Sequence, residues 1–270
     1  MKKNNFWSIL MLVVIVLPLM ISCGSDDNDT KESDKTEQKV EITVSDDVIG
    51  AKQQVILSVN YITDNPNILV TWYEDGKKLN SIPKSELYYS WYASEVGEHL
   101  IEVAITDREQ VFKYQKTFTV VETELAGAII GDSKSKIART FGVSENNVMT
   151  VKESNVTNQY FFSNNRLNRI YSVRSVPLTP KTKYDYMQPV TYFANYFNMY
   201  KKKYGEPISE NYTLLETTES KIIEYGGHIL SGGMLITAKF QTDTRYAEIE
   251  VAPYTKSGFG YSLHQTLSAR

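Results

Sequence analysis

The sequence predicts a multidomain fold: an all-β sandwich at residues 39–122, followed by an α+β domain at residues 123–270. Apolar and polar residues alternate in the first part, for example at Val55, Leu57 and Val59, which is typical of half-buried strands. The second part contains two segments with helical spacing, and strand-like segments follow each of them. The composition, 41% hydrophobic and 12% aromatic, is sufficient for each part to have its own core.

The N-terminal residues 1–22 have the layout of a secretory signal peptide. Lys2 and Lys3 precede an apolar run at residues 6–20, which is shorter than the roughly 20 residues of a membrane-spanning helix. Ile21 and Ser22 then precede Cys23, the only cysteine of the chain. This arrangement resembles the lipobox of bacterial lipoproteins, in which a peptidase cuts before the cysteine and the cysteine is lipidated. The resemblance implies that Cys23 anchors the protein in a membrane.

Residues 23–38 are expected to form a lipidated, disordered and acidic tether. Residues 24–38 include no aromatic or aliphatic side chain, so they cannot bury enough surface to offset the entropy of ordering. The run at residues 25–29 resembles the acidic export signal of Bacteroides-group lipoproteins, which implies an outer-membrane anchor with the protein facing out of the cell. A plain solvated linker is the alternative. The remainder of the chain has no basic field, so we expect no nucleic-acid partner.

The first domain resembles bacterial immunoglobulin-like and PKD-type modules. Its short alternating runs are interrupted by turn residues such as Asp75 and Gly76, and Trp72 lies where a sandwich has its central tryptophan. The resemblance depends on the patterns Trp-Tyr-x-Asp-Gly at residues 72–76 and Gly-Glu-His at residues 97–99. It implies a spacer and assigns no activity.

A dense aromatic cluster in this domain is the candidate binding surface. Neighbouring residues of a strand face opposite sides of the sheet, so some of these rings should lie on the outer surface. Ordinary packing is the alternative interpretation. The cluster consists of Tyr88, Tyr89, Trp91 and Tyr92.

The second domain is predicted to begin with a helix that Asp132 or Ser133 caps and Gly142 ends. Strands are expected at 148–152, 158–162 and 166–173. A second helix is predicted at 190–204, and further strands at 221–225, 234–242, 245–252 and around Tyr261. The second helix has aromatic residues at spacings of three and four, and these are Phe193, Tyr196, Phe197, Tyr200 and Tyr204.

Two predicted units, each of one helix and three strands, therefore follow one another within this domain, which indicates an internal duplication with two layers. The unit pattern resembles small outer-membrane assembly lipoproteins and the β-lactamase-inhibitor-protein fold. In that fold the helices cover one face of the sheet, and the other face is free to bind proteins.

No catalytic, metal or cofactor signature is evident, and we expect no enzyme activity. His99, His228 and His264 are widely separated, whereas zinc sites need three or four close ligands. Glu248 and Glu250 share one strand face and could in principle hydrolyse sugars, but such pairs arise by chance. The glycines at 226–227 and 232–233 are interpreted as turns.

The sequence as a whole predicts a non-enzymatic cell-surface lipoprotein in which an immunoglobulin-like spacer presents a ligand-binding domain. Its partners would be the membrane, through the lipid on Cys23, and a glycan or a protein ligand. The alternatives are an envelope assembly or structural lipoprotein on the periplasmic side, a hydrolase-inhibitor-like protein, and a hydrolase.

Overall fold

The computed structural model of the 270-residue chain describes residues 40–80, 84–212, 215, 217–254 and 260–270. The predicted signal peptide, Cys23 and the tether lie outside the described residues, so lipidation stays a prediction. Within the described ranges, no helix combines the length and the hydropathy that crossing a membrane requires.

The N-terminal half contains two sheets. The three-stranded sheet has the order β1-β3-β6 and comprises β1 (Ile42–Val44), β3 (Gln53–Val59) and β6 (Tyr88–Ala93). The five-stranded sheet has the order β2-β8-β7-β4-β5 and comprises β2 (Ile49–Gly50), β4 (Leu69–Glu74), β5 (Lys77–Lys78), β7 (Gly97–Asp107) and β8 (Gln110–Val121). Only β2 and β8 pair in parallel among these strands.

Alternation along the strands produces the core between these two sheets. Every second residue of β3 is buried, because successive side chains of a strand point to opposite faces. Trp72 on one sheet and Trp91 on the other are each 1% exposed and belong to one apolar cluster. The β4–β5 hairpin closes through Asp75 and Gly76, which have φ angles of 50° and 80°. Such angles are typical of a two-residue type I′ turn.

The C-terminal half contains one seven-stranded antiparallel sheet with the order β12-β13-β14-β15-β11-β10-β9. Its strands are β9 (Val148–Glu153), β10 (Val156–Ser163), β11 (Arg166–Pro177), β12 (Ser209–Glu210), β13 (Ile236–Gln241), β14 (Arg245–Pro253) and β15 (Gly260–Ala269). Three helices accompany it: α1 (Lys134–Phe141), α2 (Lys183–Tyr204) and α3 (Glu219–Ser231).

Helix ends follow the capping residues of the sequence. Ser133 caps α1 by accepting a hydrogen bond from the Lys136 backbone N–H, as predicted. Helix α2 begins earlier than the predicted residue 190, because Thr182 and Asp185 form a capping box ahead of it. Pro189 lies inside this helix and is buried.

The aromatic face of α2 packs on the seven-stranded sheet. Phe193, Phe197 and Tyr200 are at most 5% exposed. The rings of Phe197 and Tyr200 lie 5.9 and 5.8 Å from the ring of Phe240 on β13. These three of the aromatic residues at helical spacing therefore belong to the core of the C-terminal half.

The predicted fold class, a sandwich plus a separate two-layer α+β domain with two helix–three-strand units, is wrong. The described chain is mainly β, with 48% strand and 20% helix in three sheets. Strands β9 to β15 belong to one sheet instead of two repeated units. Helix α1 packs against β3 of the sandwich, so the C-terminal half is not a distinct α+β domain. The boundary between residues 122 and 123 stays a prediction.

The main local error in the prediction is α3. A strand was predicted at 221–225, whereas these residues lie in α3. Gly226 instead allows the backbone of α3 to approach α2, since a Cβ at this position would clash with the Tyr186 carbonyl oxygen. The close approach of α3 to α2 therefore requires glycine at position 226, and this tertiary contact cannot be predicted from the sequence alone.

Candidate functional site

A cleft of about 520 Å³ combines aromatic and polar groups. We call it the sandwich–sheet cleft. The β2–β3 turn and β6 of the sandwich form one wall, α1 and the preceding connection form the second, and the seven-stranded sheet forms the floor. Its lining residues are Lys52, Tyr92, Leu125, Ala126, Gly127, Thr140, Phe141, Glu153, Val156, Asn158, Ser172, Arg174 and Gln265.

The predicted aromatic cluster divides between the core and the surface. Trp91 is buried in the sandwich, and Tyr89 is half-buried with its hydroxyl donating to the Leu79 carbonyl oxygen. Tyr88 and Tyr92 point the other way and are 60% and 54% exposed. Only Tyr92 of these four lines the sandwich–sheet cleft. The structure therefore places one aromatic ring of the predicted set at a concave site.

A row of three polar side chains crosses the floor of the cleft. Asn158 on β10 is directly opposite Ser172 on β11, and Ser172 is opposite Gln265 on β15. The Ser172 hydroxyl donates to Asn158 Oδ1 at 2.7 Å, and Gln265 Nε2 donates to the Tyr200 hydroxyl at 3.1 Å. These side chains are held in place by each other and by α2. The row provides amide and hydroxyl groups in fixed positions, which is how pockets orient a polar ligand.

Charged side chains surround the mouth of the cleft. Lys52 and Arg174 are positive and Glu153 is negative, so these three give a net charge of +1. All three are exposed. Within the described residues, Arg174 has no acidic side chain within 4.0 Å. Its guanidinium is therefore free to bind an acceptor from outside the protein.

Ring stacking and a hydrogen bond join the residues of the apolar wall of the cleft. The rings of Phe141 on α1 and Tyr160 on β10 stack at 5.1 Å, with planes 23° apart. The Tyr160 hydroxyl donates to the Ala126 carbonyl oxygen at 2.7 Å, and burial raises the pKa of this phenol. Gly127 has a φ of 72°, and a Cβ there would lie 3.2 Å from the Phe141 ring.

Buried polar contacts join the two walls behind the cleft. Gln53 on β3 donates to Asp132 Oδ2 at 2.7 Å and to the Gly127 carbonyl oxygen at 3.1 Å. Lys136 on α1 donates to the Val48 carbonyl oxygen at 2.6 Å. These contacts tie the sandwich to α1 and so fix the spacing of the cleft walls.

The uncovered face of the seven-stranded sheet has a second polar group. His264 lies between the Tyr171 hydroxyl, 2.6 Å from Nδ1, and the Ser262 hydroxyl, 2.7 Å from Nε2. Glu248 and Glu250 line the same shallow depression of about 190 Å³. Glu248 also pairs with Lys239 at 3.5 Å, so the two carboxylates are not equivalent. This depression is much smaller than the sandwich–sheet cleft.

Among the residues that the structure describes, one group of three potential metal ligands comes together, which the sequence did not reveal. Glu74, Asp75 and His99 have ligand atoms within 4.8 Å of one another. The histidines have no second histidine or cysteine at ligand spacing along the sequence, whereas the two carboxylates beside His99 come from the turn after another strand. The polar row of the cleft was missed as well. Its only signal was the presence of Asn158 and Ser172 on strand faces that are otherwise apolar.

Comparisons with known proteins give structural neighbours only. No protein-family model matches the sequence, and no curated protein matches it. The chain is similar to fibronectin(III)-like modules of Clostridium thermocellum CbhA (20% identity, TM-score 0.27, 32% of this chain and 99% of that one). It is also similar to a carbohydrate-binding module of the β-sandwich superfamily (11% identity, TM-score 0.29, 86% and 90%). A third neighbour is a Kfla1895 mutant in complex with cyclobis-(1→6)-α-nigerosyl (8%, 0.20, 82% and 31%). At these TM-scores we infer no ligand or activity from the likenesses.

Proposed function

We propose that the chain is a non-enzymatic lipoprotein, anchored by Cys23 in the outer membrane and facing out of the cell, that binds a glycan in the sandwich–sheet cleft. The observation that carries the glycan assignment is that the exposed Tyr92 lines the same cleft as the row of Asn158, Ser172 and Gln265. A sugar ring has an apolar face, which packs on an aromatic ring, and a rim of hydroxyls, which pair with amide and hydroxyl groups. The cleft offers both kinds of contact in one place.

The size and charge of the cleft support the same class of ligand. A volume of about 520 Å³ lies within the range of roughly 300–1,000 Å³ of small-ligand pockets and is sufficient for a short oligosaccharide. The net charge of +1 at the mouth, with Arg174 available for a carboxylate, suits neutral and acidic sugars. A protein ligand on the flat open face of the sheet is the competing interpretation.

A glycan array tests the ligand class. The lipidated protein, purified from membranes in detergent, is applied to defined oligosaccharides that include neutral and uronic-acid-containing series. We expect retention on a subset of glycans that share a terminal or internal motif. Retention on none of them, together with co-purification of one protein after cross-linking on cells, would assign the ligand to the protein class instead.

Protease treatment of intact cells tests the location. We expect the tether to be cleaved and the folded part to be released, because the acidic run at residues 25–29 resembles an export signal. The matched variant Cys23→Ala should leave the protein soluble or unprocessed. Survival of the anchored protein in intact cells, with cleavage only after the outer membrane is opened, would favour the envelope assembly alternative.

A further inference from the structure

At one end of the sandwich, β7 places His99 beside the β4–β5 turn, which carries Glu74 and Asp75. His99 Nδ1 lies 3.1 Å from Glu74 Oε1 and 3.1 Å from Asp75 Oδ2. We propose that these three side chains form a binding site for a divalent transition-metal cation of the Zn²⁺ class. This site is separate from the sandwich–sheet cleft and does not depend on the proposed function.

The hydrogen bonding of the imidazole determines which way its lone pair points. His99 Nε2 lies 3.2 Å from the Glu95 carbonyl oxygen, and a carbonyl oxygen only accepts, so Nε2 carries the proton. In a neutral imidazole, Nδ1 then has a lone pair and is an acceptor. It faces two carboxylate oxygens, which are acceptors as well. Three acceptor atoms that lie this close together are stabilised by a cation between them, which is either a bound metal ion or a second ring proton on Nδ1.

Glu74 provides the second observation. Its Oε1 atom is buried and has no hydrogen-bond partner among the described residues. His99 Nδ1 lies 3.1 Å from this oxygen, but the two atoms do not have the geometry of a hydrogen bond. A buried carboxylate oxygen without a donor is costly. A metal ion satisfies it, because coordination needs no proton on the nitrogen.

The spacing of the three atoms fits a coordination sphere. Zn²⁺ binds imidazole nitrogen at about 2.0–2.1 Å and carboxylate oxygen at about 2.0–2.2 Å. In a tetrahedral site such bonds separate neighbouring ligand atoms by about 3.3 Å, close to the two distances of 3.1 Å found here. Three protein ligands leave the fourth position for water. The nitrogen ligand favours Zn²⁺ and related ions over Ca²⁺ and Mg²⁺, which prefer oxygen.

The surroundings hold the ligands in position and leave an entry path. The Leu100 backbone N–H donates to Asp75 Oδ1 at 2.8 Å, so the other oxygen is directed at His99. Outer contacts of this kind are usual for metal ligands. The His99 side chain is 11% exposed, whereas that of Asp75 is 54% exposed, which gives access from solvent. No lysine or arginine of the described chain lies within 4.0 Å of either carboxylate.

Metal titration tests the site. The lipidated full chain is stripped with a chelator and titrated with Zn²⁺ in competition with a chromophoric chelator, and Co²⁺ absorption reports the ligand geometry. We expect one Zn²⁺ per chain and a Co²⁺ spectrum of a four-coordinate site. Asp75→Asn keeps an acceptor for the Leu100 backbone N–H, so the turn should still fold. The variant loses a carboxylate ligand, so its Zn²⁺ affinity should fall by at least about tenfold. Even the loss of an outer contact to a metal ligand lowers metal affinity by about tenfold to a hundredfold.

His228→Gln is the matched control, because His228 is an exposed histidine 3.9 Å from Glu224. It should bind Zn²⁺ like the wild type, and the acidic tether is common to all variants. Equal Zn²⁺ binding by wild type and Asp75→Asn would overturn the proposal. An NMR spectrum at saturating Zn²⁺ in which both ring nitrogens of His99 carry protons would also overturn it. The imidazole would then have no lone pair for a metal ion, and its own positive charge would stabilise the two carboxylates.

Discussion

Lys136 Nζ lies 2.7 Å from Asp132 Oδ1, and their side chains are only 1% and 3% exposed. Asp132 Oδ2 also accepts from Gln53 Nε2 at 2.7 Å and from the Ile129 backbone N–H at 2.8 Å. Every oxygen of this buried carboxylate therefore has a donor, and the pair joins α1 to the sandwich. Burying charges is tolerated only when they are paired in this way.

Lys136→Met should destabilise the protein strongly, because it leaves the Asp132 charge buried without its cation. Removing one partner of a buried ion pair typically costs about 3–5 kcal/mol. Urea unfolding measures the change. Lys183→Met is the matched control: Lys183 pairs with Glu219 at 2.6 Å, but both side chains are more than half exposed. Its loss should cost less than about 1 kcal/mol. Similar effects of the two variants would contradict the importance of the buried pair.

Two adjacent glycines of α3 should respond in opposite directions to alanine. Gly226→Ala places a methyl group against the Tyr186 carbonyl oxygen and should force α3 away from α2. At Gly227 the nearest atom to a new Cβ is Tyr186 Cδ1 at 3.8 Å, an ordinary contact. Gly227→Ala should therefore stabilise the helix by up to about 1 kcal/mol. Thermal unfolding of the two variants checks this contrast. A loss of stability in both would contradict the packing of α3 against α2.

Phe197→Ala should lower the free energy of unfolding by about 3–5 kcal/mol. The side chain is 4% exposed and packs against Phe240 and Tyr212, so truncation leaves a cavity. Lys202, which is exposed in the last turn of α2, provides the control Lys202→Ala, with an expected change below about 0.5 kcal/mol. Denaturant unfolding distinguishes the two, and an unchanged midpoint for Phe197→Ala would contradict the packing of α2.

Asp107 should contribute stability that depends on pH. Hydrogen bonds from Thr63 and Asn65 lower the pKa of this carboxyl, and the Tyr61 hydroxyl adds a third. Because the pKa is lower in the folded than in the unfolded chain, where it is about 3.9, the stabilisation is present above about pH 4. It is lost as the pH falls through the folded-state value.

Asp107→Asn should consequently flatten the loss of stability between pH 5 and pH 2, measured by urea unfolding at several pH values. Asp243→Asn, at an exposed turn, should leave the curve parallel to that of the wild type. If Asp107→Asn also gave a parallel curve, these hydrogen bonds would not be linked to proton binding.

Local signals in the sequence were sufficient for most strands and for both ends of α1. Alternation located β3 and β7, and Ser133 and Gly142 bounded α1. Tertiary contacts were not accessible in the same way. Gly226 resembles a turn residue until α2 lies against it, and the single sheet of β9 to β15 depends on β11 pairing with β15 across about ninety residues of chain.

The candidate sites show the same division. The aromatic cluster at 88–92 predicted Tyr92 as a candidate binding residue. Alternation along the strand explains why Trp91 is buried while Tyr92 is exposed. The polar residues that line the cleft with Tyr92 come from β10, β11 and β15, and no local pattern of the sequence connects them to β6. His99 and the Glu74–Asp75 turn are likewise brought together only by the pairing of β4 with β7.

The most direct measurement of the central claim compares two tyrosines of one strand. Tyr88 and Tyr92 lie on the same face of β6 with similar exposure, 60% and 54%, but only Tyr92 lines the sandwich–sheet cleft. Isothermal titration with the oligosaccharide best retained on the array should show that Tyr92→Ala weakens binding by tenfold or more, equivalent to about 1.4 kcal/mol, while Tyr88→Ala binds like the wild type. Unchanged affinity in Tyr92→Ala, or equal losses in both variants, would contradict glycan binding in this cleft.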